Sequence, residues 1–200
     1  MFSSDDDTAR THGFGTPARA ASLYHRPMPT TTYVALLRAV NVGGTGKLAM
    51  TELRAMCEAL GFANVRTYIA SGNVVFDSGL AASSVKKQLE ARLDDYAGKP
   101  VGVLLRTAAE MAAIVAANPF ADAPPERTVA IFLDAAPPAD LPDTAHGQQS
   151  ETIVAGKREI YVHYPDGIGR SKLKIPAAAN GTARNMNTVA TLAQWAAEAK

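Results

Sequence analysis

The chain has 200 residues, of which 47% are hydrophobic and 20% charged, with a formal net charge of +1. This length and composition fit one large or two small globular domains. The near-neutral charge provides no overall field that would favour nucleic acid or another highly charged partner. The single cysteine, Cys57, excludes an internal disulfide and a cysteine-based metal site, and its apolar helical surroundings predict a packed thiol.

Residues 1–31 have no regular hydrophobic pattern, and we expect them to form a disordered tail. They lack the apolar segment of a secretory signal. No part of the chain approaches the roughly 20 apolar residues that cross a membrane, so we expect a cytoplasmic protein. Because patterned sequence begins near Tyr33, Met28 is a candidate translation start.

The first half is predicted to contain strands and helices in the order β-α-β-β-α-β. The strands are predicted at residues 33–40, 65–69, 74–76 and 101–105. The first helix is predicted to start with Thr51 as its N-cap and to stop at Gly61, and the second to cover residues 82–96. This order is typical of the ferredoxin-like fold, a split β-α-β-β-α-β unit with an antiparallel sheet.

A short helix at 108–117 and a proline-rich segment separate this half from the next. We expect a ferredoxin-like α+β domain at residues 32–120 and a second, smaller α+β domain at residues 121–200. The second half is predicted to contain a strand at 128–133, a weak helix or loop at 137–146, a hairpin of 151–155 and 159–164, and helices at 171–179 and 187–197. The sequence shows no repeat, so the order of elements alone predicts tandem ferredoxin-like units.

The predicted topology brings polar residues from distant segments to one edge of the first sheet. In a split unit, the end of the first strand, the start of the first helix and the turn between strands two and three share that edge. The loop NVGGTGK follows the first strand, and SGN forms the turn. Backbone amides at a helix start, small residues and a lysine suit an anion such as phosphate. We therefore predict a site for a small anionic ligand, with these candidate residues: Arg38, Asn41, Gly43, Gly44, Lys47, Ser71, Gly72, Asn73, Arg184 and Asn185. An ordinary loop and turn without a ligand is the alternative.

Two arginines belong to this prediction for different reasons. Arg38 lies in the apolar run of the first strand, where an unpaired charge is costly, so it needs a wet strand end, a protein partner or a ligand. Arg184 and Asn185 precede the last helix, where an arginine suits an anion and Asn185 or Asn187 suits an N-cap. A cap beside a surface arginine also explains that segment without a ligand.

Two long segments carry a resemblance to a known family. The run YVALLRAVNVGGTGKLAMTELRAMCEALGFANVRTYIASGNVVF resembles the opening block of the bacterial family called domain of unknown function 1697 (DUF1697). The segment TARNMNTVATLAQWA, with the upstream SKL, resembles its closing block, although Met186 stands where the family more often has Trp. The resemblance implies a two-part α+β fold. It implies no catalytic residues, because the role of the family is unestablished.

Other functions stay open as alternatives. A ferredoxin-like sheet can bind single-stranded nucleic acid through strand aromatics, for which only Tyr33 and Phe76 are available here. A protein-interaction or oligomerisation module and an enzyme with a spatially assembled site are further alternatives. We predict no cofactor and no metal site, because the four histidines lack ligand spacing, and no nucleotide hydrolysis, because the loop lacks P-loop spacing.

Overall fold

The structure, a computed structural model, describes residues 29–40 and 48–198. The first sheet contains β1 (Thr31–Leu37), β2 (Ala63–Tyr68), β3 (Asn73–Ser78) and β4 (Val103–Thr107), with α1 (Met50–Ala59) before β2 and α2 (Ala82–Ala97) before β4. The strand order is β2-β3-β1-β4, and all neighbouring strands are antiparallel. β1 is central, which explains why its apolar residues 33–37 are all buried.

The second sheet repeats this strand order. It contains β5 (Thr128–Phe132), β6 (Thr152–Ala155), β7 (Glu159–His163) and β8 (Thr182–Asn185), in the antiparallel order β6-β7-β5-β8. The helices α3 (Ala108–Ala116) and α5 (Met186–Glu198) directly follow β4 and β8, respectively. A single helical turn, α4 (Leu141–Thr144), lies between β5 and β6, where the first half has the ten-residue α1. The chain is therefore an α+β protein with two antiparallel four-stranded sheets.

The two sheets share one hydrophobic core. This core contains Leu36 of β1, Met111 of α3, Phe132 of β5 and Leu192 of α5, so α3 and α5 lie between the sheets. The other face of the first sheet packs against α1 and α2, and the other face of the second sheet packs against α4 and the segment around Ile175. Burial of a common core joins the halves. The domain boundary predicted after residue 120 stays a prediction, and most of the predicted tail lies outside the described residues.

Two local predictions were wrong, and one strand was missed. The helix α1 begins at Met50 and has Ala49 at its N-cap position, so Thr51 is not the cap. The predicted helix at 171–179 is extended chain with a bridge between His146 and Lys174, followed by a 3₁₀ turn at Pro176–Ala178. Pro176 lacks a backbone N–H and restricts the residue before it, which disfavours a continuous α-helix. The four-residue strand β8 was missed because its alternation of buried and exposed residues is too short to detect.

Candidate functional site

The end of β1 and the β2–β3 turn meet at one edge of the first sheet. We call this edge the rim; it consists of Leu37, Arg38, Ser71, Gly72 and Asn73. The Leu37 amide donates a hydrogen bond of 2.8 Å to the Gly72 carbonyl. Gly72 has φ +74°, and a Cβ there would lie 2.8 Å from the Leu37 Cβ, so the close approach requires glycine.

Four candidate residues belong to the loop that follows β1 and lie outside the described residues. They are Asn41, Gly43, Gly44 and Lys47. Val40, the last described residue before this segment, packs against the same core as α1 and α2 and lies two positions after Arg38.

Asn73 is fully buried and engaged on both sides of its amide. Its Nδ2 donates to the Tyr68 carbonyl at 3.0 Å and to Ser71 Oγ at 2.9 Å. Its Oδ1 accepts a hydrogen bond of 2.5 Å from Arg184 Nε. Asn73 thus shapes the turn and connects the rim to the second half of the chain.

Arg184 crosses from β8 to the rim and uses all five of its N–H groups. Besides Asn73, its acceptors are the Leu37 carbonyl (3.0 Å), the Ser71 carbonyl (2.8 Å), Thr182 Oγ1 (2.8 Å) and the Ala183 carbonyl (2.8 Å). Burial lowers the pKa of Arg184 to about 10, so the side chain remains a cation at neutral pH. With every donor occupied, Arg184 holds the rim in place and has no N–H left for an anion.

Asn185 has a different position from the rest of the predicted site. Its Oδ1 accepts a hydrogen bond of 2.9 Å from the Thr188 amide at the start of α5. This is the contact of an N-cap, which satisfies one of the free amides of the first helical turn. Of the two asparagines proposed as caps, Asn185 therefore has this contact.

Arg38, like Arg184, lacks a carboxylate partner within the described ranges. Its Nη2 donates to the Ala179 carbonyl at 3.2 Å and to Asn180 Oδ1 at 3.4 Å. Its Nε is buried and donates to no acceptor there. The side chain packs over Gly102, where a Cβ would lie 2.9 Å from Arg38 Cδ. The absence of a side chain at Gly102 therefore leaves the space that the Arg38 side chain occupies.

Two residues beside the rim have left-handed backbone conformations. Ala39 has φ +49° and Ile69 has φ +47°. Such values are uncommon for residues other than glycine and exceptional for a β-branched side chain. Ile69 is also 51% exposed, so burial of its side chain does not explain its left-handed backbone conformation. Strained backbone of this kind persists where the surroundings hold it, and it clusters at ligand sites.

Sequence reasoning missed a second buried arginine, Arg106 of β4. It is 2% exposed and donates to the carbonyls of Leu105 (2.8 Å), Leu133 (2.8 Å) and Arg158 (2.5 Å). Burial lowers its pKa to about 10, and the nearby charge of Arg158 acts in the same direction. The signal was present in the sequence as a single charge in the apolar run VGVLLRT, the same signal that pointed to Arg38.

Arg106 lines a cavity of about 620 Å³ between α3 and the β6–β7 hairpin. At the cavity, Arg158 Nη2 forms an ion pair of 2.5 Å with Glu110 Oε1. Burial alone would raise the pKa of Glu110, but a hydrogen bond from the Thr107 amide and the charge of Arg158 outweigh it and lower the pKa. Glu110 is therefore ionised at neutral pH and committed to Arg158 and the α3 cap.

The described residues hold no group of three His, Cys, Asp or Glu side chains that could bind a metal ion. None of the helices within residues 29–40 and 48–198 is long and apolar enough to cross a membrane.

Comparison with known proteins adds a family and a fold. Residues 30–161 match the family described as "Protein of unknown function (DUF1697)". A solved structure, that of conserved bacterial protein SP0830 from Streptococcus pneumoniae, superposes with a TM-score of 0.70 at 22% sequence identity and covers 84% of this chain and 99% of that chain. This likeness concerns the fold alone. No curated protein matches the chain.

Proposed function

The chain belongs to the DUF1697 family, and from that premise we propose that it is a binding module for a small anionic or phosphate-containing ligand at the rim. The observation that carries this proposal is Arg38, a cation at the end of a central strand with only neutral oxygen partners in the described part of the chain. A buried N–H group without an acceptor costs about 1–3 kcal/mol. An anion held beside the loop at 41–47 would offset that cost.

The neighbouring features support the same proposal. The loop NVGGTGK supplies three glycines and a lysine next to Arg38 in sequence, and such loops bind anions through their backbone amides. Ala39 and Ile69 flank the rim with strained backbone. Arg184 holds the rim in place and Asn73 shapes its turn, so we assign both to positioning and not to ligand contact.

Titration calorimetry on the full chain with inorganic phosphate, glucose 6-phosphate and ATP tests this proposal. We expect at least one of them to bind, and Arg38→Gln and Lys47→Ala each to weaken binding about tenfold, the usual effect of losing a hydrogen bond to a charge. Arg92→Gln, on the exposed face of α2, is the matched control and should leave binding unchanged. Asn73 is not substituted, because its loss would disturb Arg184. Absence of binding by all three compounds, or equal effects of Arg38→Gln and Arg92→Gln, would refute the proposal.

The alternatives gain no specific support from the described residues. Tyr33 and Phe76, the aromatics a nucleic-acid face would need, are 4% and 0% exposed and lie in the core with α1 and α2. Protein interaction and an enzymatic activity stay as alternatives without named residues. The cytoplasmic location stays a prediction.

We also propose that each half is a ferredoxin-like unit. The matching strand orders β2-β3-β1-β4 and β6-β7-β5-β8 support this for both sheets. In the second unit, α4 has four residues and the segment between β7 and β8 contains only 3₁₀ turns, so it would be a reduced version of the first.

A further inference from the structure

The two buried arginines occupy equivalent positions in the two sheets. Arg106 of β4 lies opposite Val34 of β1, and Arg184 of β8 lies opposite Ala130 of β5. β1 and β5 are the equivalent strands of the two sheets, because each pairs with the third and fourth strand of its own half. Each arginine is also followed by the N-cap residue of the helix between the sheets.

Their hydrogen bonds are reciprocal. Arg184 binds the carbonyls of Leu37 at the end of β1 and Ser71 in the β2–β3 turn. Arg106 binds the carbonyls of Leu133 after β5 and Arg158 in the β6–β7 turn. Each arginine also donates to the carbonyl of the residue before it. Thus each half of the chain contributes an arginine that clamps the strand end and turn of the other half.

The clamp made by Arg106 is incomplete. Arg184 has two further acceptors, the side chains of Asn73 and Thr182. The counterpart of Asn73 is Glu159, because Asn73 lies opposite Leu36 and Glu159 lies opposite Phe132. The carboxylate of Glu159 turns away and accepts from the amides of Lys157 (2.9 Å) and Arg158 (3.2 Å).

The second missing acceptor has a simple cause. Thr182 lies opposite Phe132, and its counterpart opposite Leu36 is Leu104, which has no hydroxyl group. Only three hydrogen bonds therefore leave the guanidinium of Arg106, and its Nε and one Nη1 hydrogen donate to no acceptor in the described ranges.

Arg106 lines the 620 Å³ cavity described above, whose walls are mainly apolar. They include Ala109 and Ala113 on one face of α3 and Ala117 directly after it, with Val154 and Tyr161 of the facing hairpin. Pockets of 300–1,000 Å³ with apolar walls and a few polar groups are typical of small-molecule sites.

The charges around this cavity leave a positive surplus. It is lined by three cationic side chains and two carboxylates, namely Arg106, Lys157, Arg158, Glu110 and Glu159. Glu110 is paired with Arg158, and Glu159 is bound to backbone amides. Arg106 forms no direct ion pair within the described residues. The carboxylates of Glu110, Glu159 and Asp134 act on it only through space, so the lining of the cavity keeps a net charge of one positive unit.

We propose that this cavity binds a small amphipathic carboxylate, whose carboxylate accepts from Arg106 and whose apolar part lies between α3 and the β6–β7 hairpin. A single negative charge matches the surplus of one positive charge. A phosphate would bring a second charge into a mainly apolar cavity, where desolvation makes it costly. This site is separate from the rim, and either proposal can fail without the other.

Octanoate is a suitable probe, with octan-1-ol as the neutral match of the same chain length. In titration calorimetry on the full chain, we expect octanoate to bind roughly tenfold to a hundredfold more tightly than octan-1-ol, the difference made by a hydrogen bond to a charged group. Ala113→Phe fills the cavity from α3 and should weaken octanoate binding at least about tenfold, since a bulky ring occupies the ligand's space.

Ala112→Phe is the matched control, because Ala112 is also exposed on α3 but does not line the cavity. Thermal melting of both variants checks that the fold is retained, and neither variant touches Arg106. Equal affinity for octanoate and octan-1-ol would overturn the role of Arg106. Equal effects of the two Phe substitutions would show that octanoate binds outside the cavity. Absence of octanoate binding up to millimolar concentration would show that the cavity is not a carboxylate site. Either result overturns the proposal.

Discussion

Replacing Arg184 by methionine removes the connection between the rim and β8 while keeping a long apolar side chain. The substitution deletes hydrogen bonds to the Leu37 carbonyl, the Ser71 carbonyl and Asn73 Oδ1 across the two halves. Methionine is flexible enough to fill most of the volume that the arginine stem occupies. The main effect is therefore the loss of donors for buried acceptors.

The expected loss of unfolding free energy is about 3–5 kcal/mol. Each buried acceptor left without a donor costs about 1–3 kcal/mol, and removing one partner of a buried charged network typically costs about 3–5 kcal/mol. Thr182 Oγ1 still donates to the Leu37 carbonyl at 3.3 Å, which keeps the total below the sum of three full penalties. Against a typical domain stability of about 5–15 kcal/mol, this loss is large.

Urea unfolding followed by circular dichroism measures the change, provided that the slope with denaturant is the same for both proteins. Arg92→Met on the exposed face of α2 is the control and should change stability by less than about 0.5 kcal/mol. If Arg184→Met costs less than about 1 kcal/mol, or no more than Arg92→Met, the reasoning that Arg184 joins the halves is refuted.

Three further predictions concern single groups. Gly72→Ala should lower the free energy of unfolding in urea by about 2–4 kcal/mol, because it combines a left-handed conformation with overlap onto Leu37. Gly98→Ala, also at positive φ but in open space, should lower it by only about 1–2 kcal/mol. Equal losses of stability in the two variants would contradict the overlap. Burial raises the pKa of Cys57 to about 12, so a thiol reagent at pH 8 should label it quickly only after unfolding; rapid labelling of the native protein would disagree. The lowered pKa of Glu110 contributes stability that is present above its ordinary value of 4.5 and is lost as pH falls through the lowered value. Glu110→Gln should therefore reduce the fall in urea midpoint between about pH 5 and 3, and an unchanged fall would exclude this contribution.

The sequence predicted the elements whose hydrophobic pattern is long or bounded by clear turns. β1 is an apolar run followed by a glycine-rich segment, and β3 is an apolar run preceded by a glycine-containing turn. The predicted bounds of both strands differ from the observed ones by no more than a few residues. The predicted topology placed the end of β1 beside the β2–β3 turn. The hydrogen bond between Leu37 and Gly72 is a direct contact between these two segments. Local pattern was weakest at β8, where four residues form a strand through pairing with β5.

The role of Arg184 could not be predicted from local pattern. Its partner Asn73 lies 111 positions earlier in the chain, and the contact exists only because the two sheets pack around α3 and α5. Arg106 gave the same local signal as Arg38, a charge in an apolar strand. That two of its N–H groups lack an acceptor was recognised only by comparing the two sheets, which share no visible sequence repeat.

The reciprocal arginines give the chain the contact pattern of a two-fold symmetric dimer. In such a dimer one patch on each subunit meets the same patch on its copy. Here Arg106 and the carbonyls of Leu37 and Ser71 all belong to the first half, and Arg184 and the carbonyls of Leu133 and Arg158 belong to the second. Each half therefore carries both the donor and the acceptors of one interface. Joining two such halves in one chain lets their surfaces diverge. One arginine then donates all its N–H groups to protein atoms, while the other has two donors without an acceptor in the described ranges.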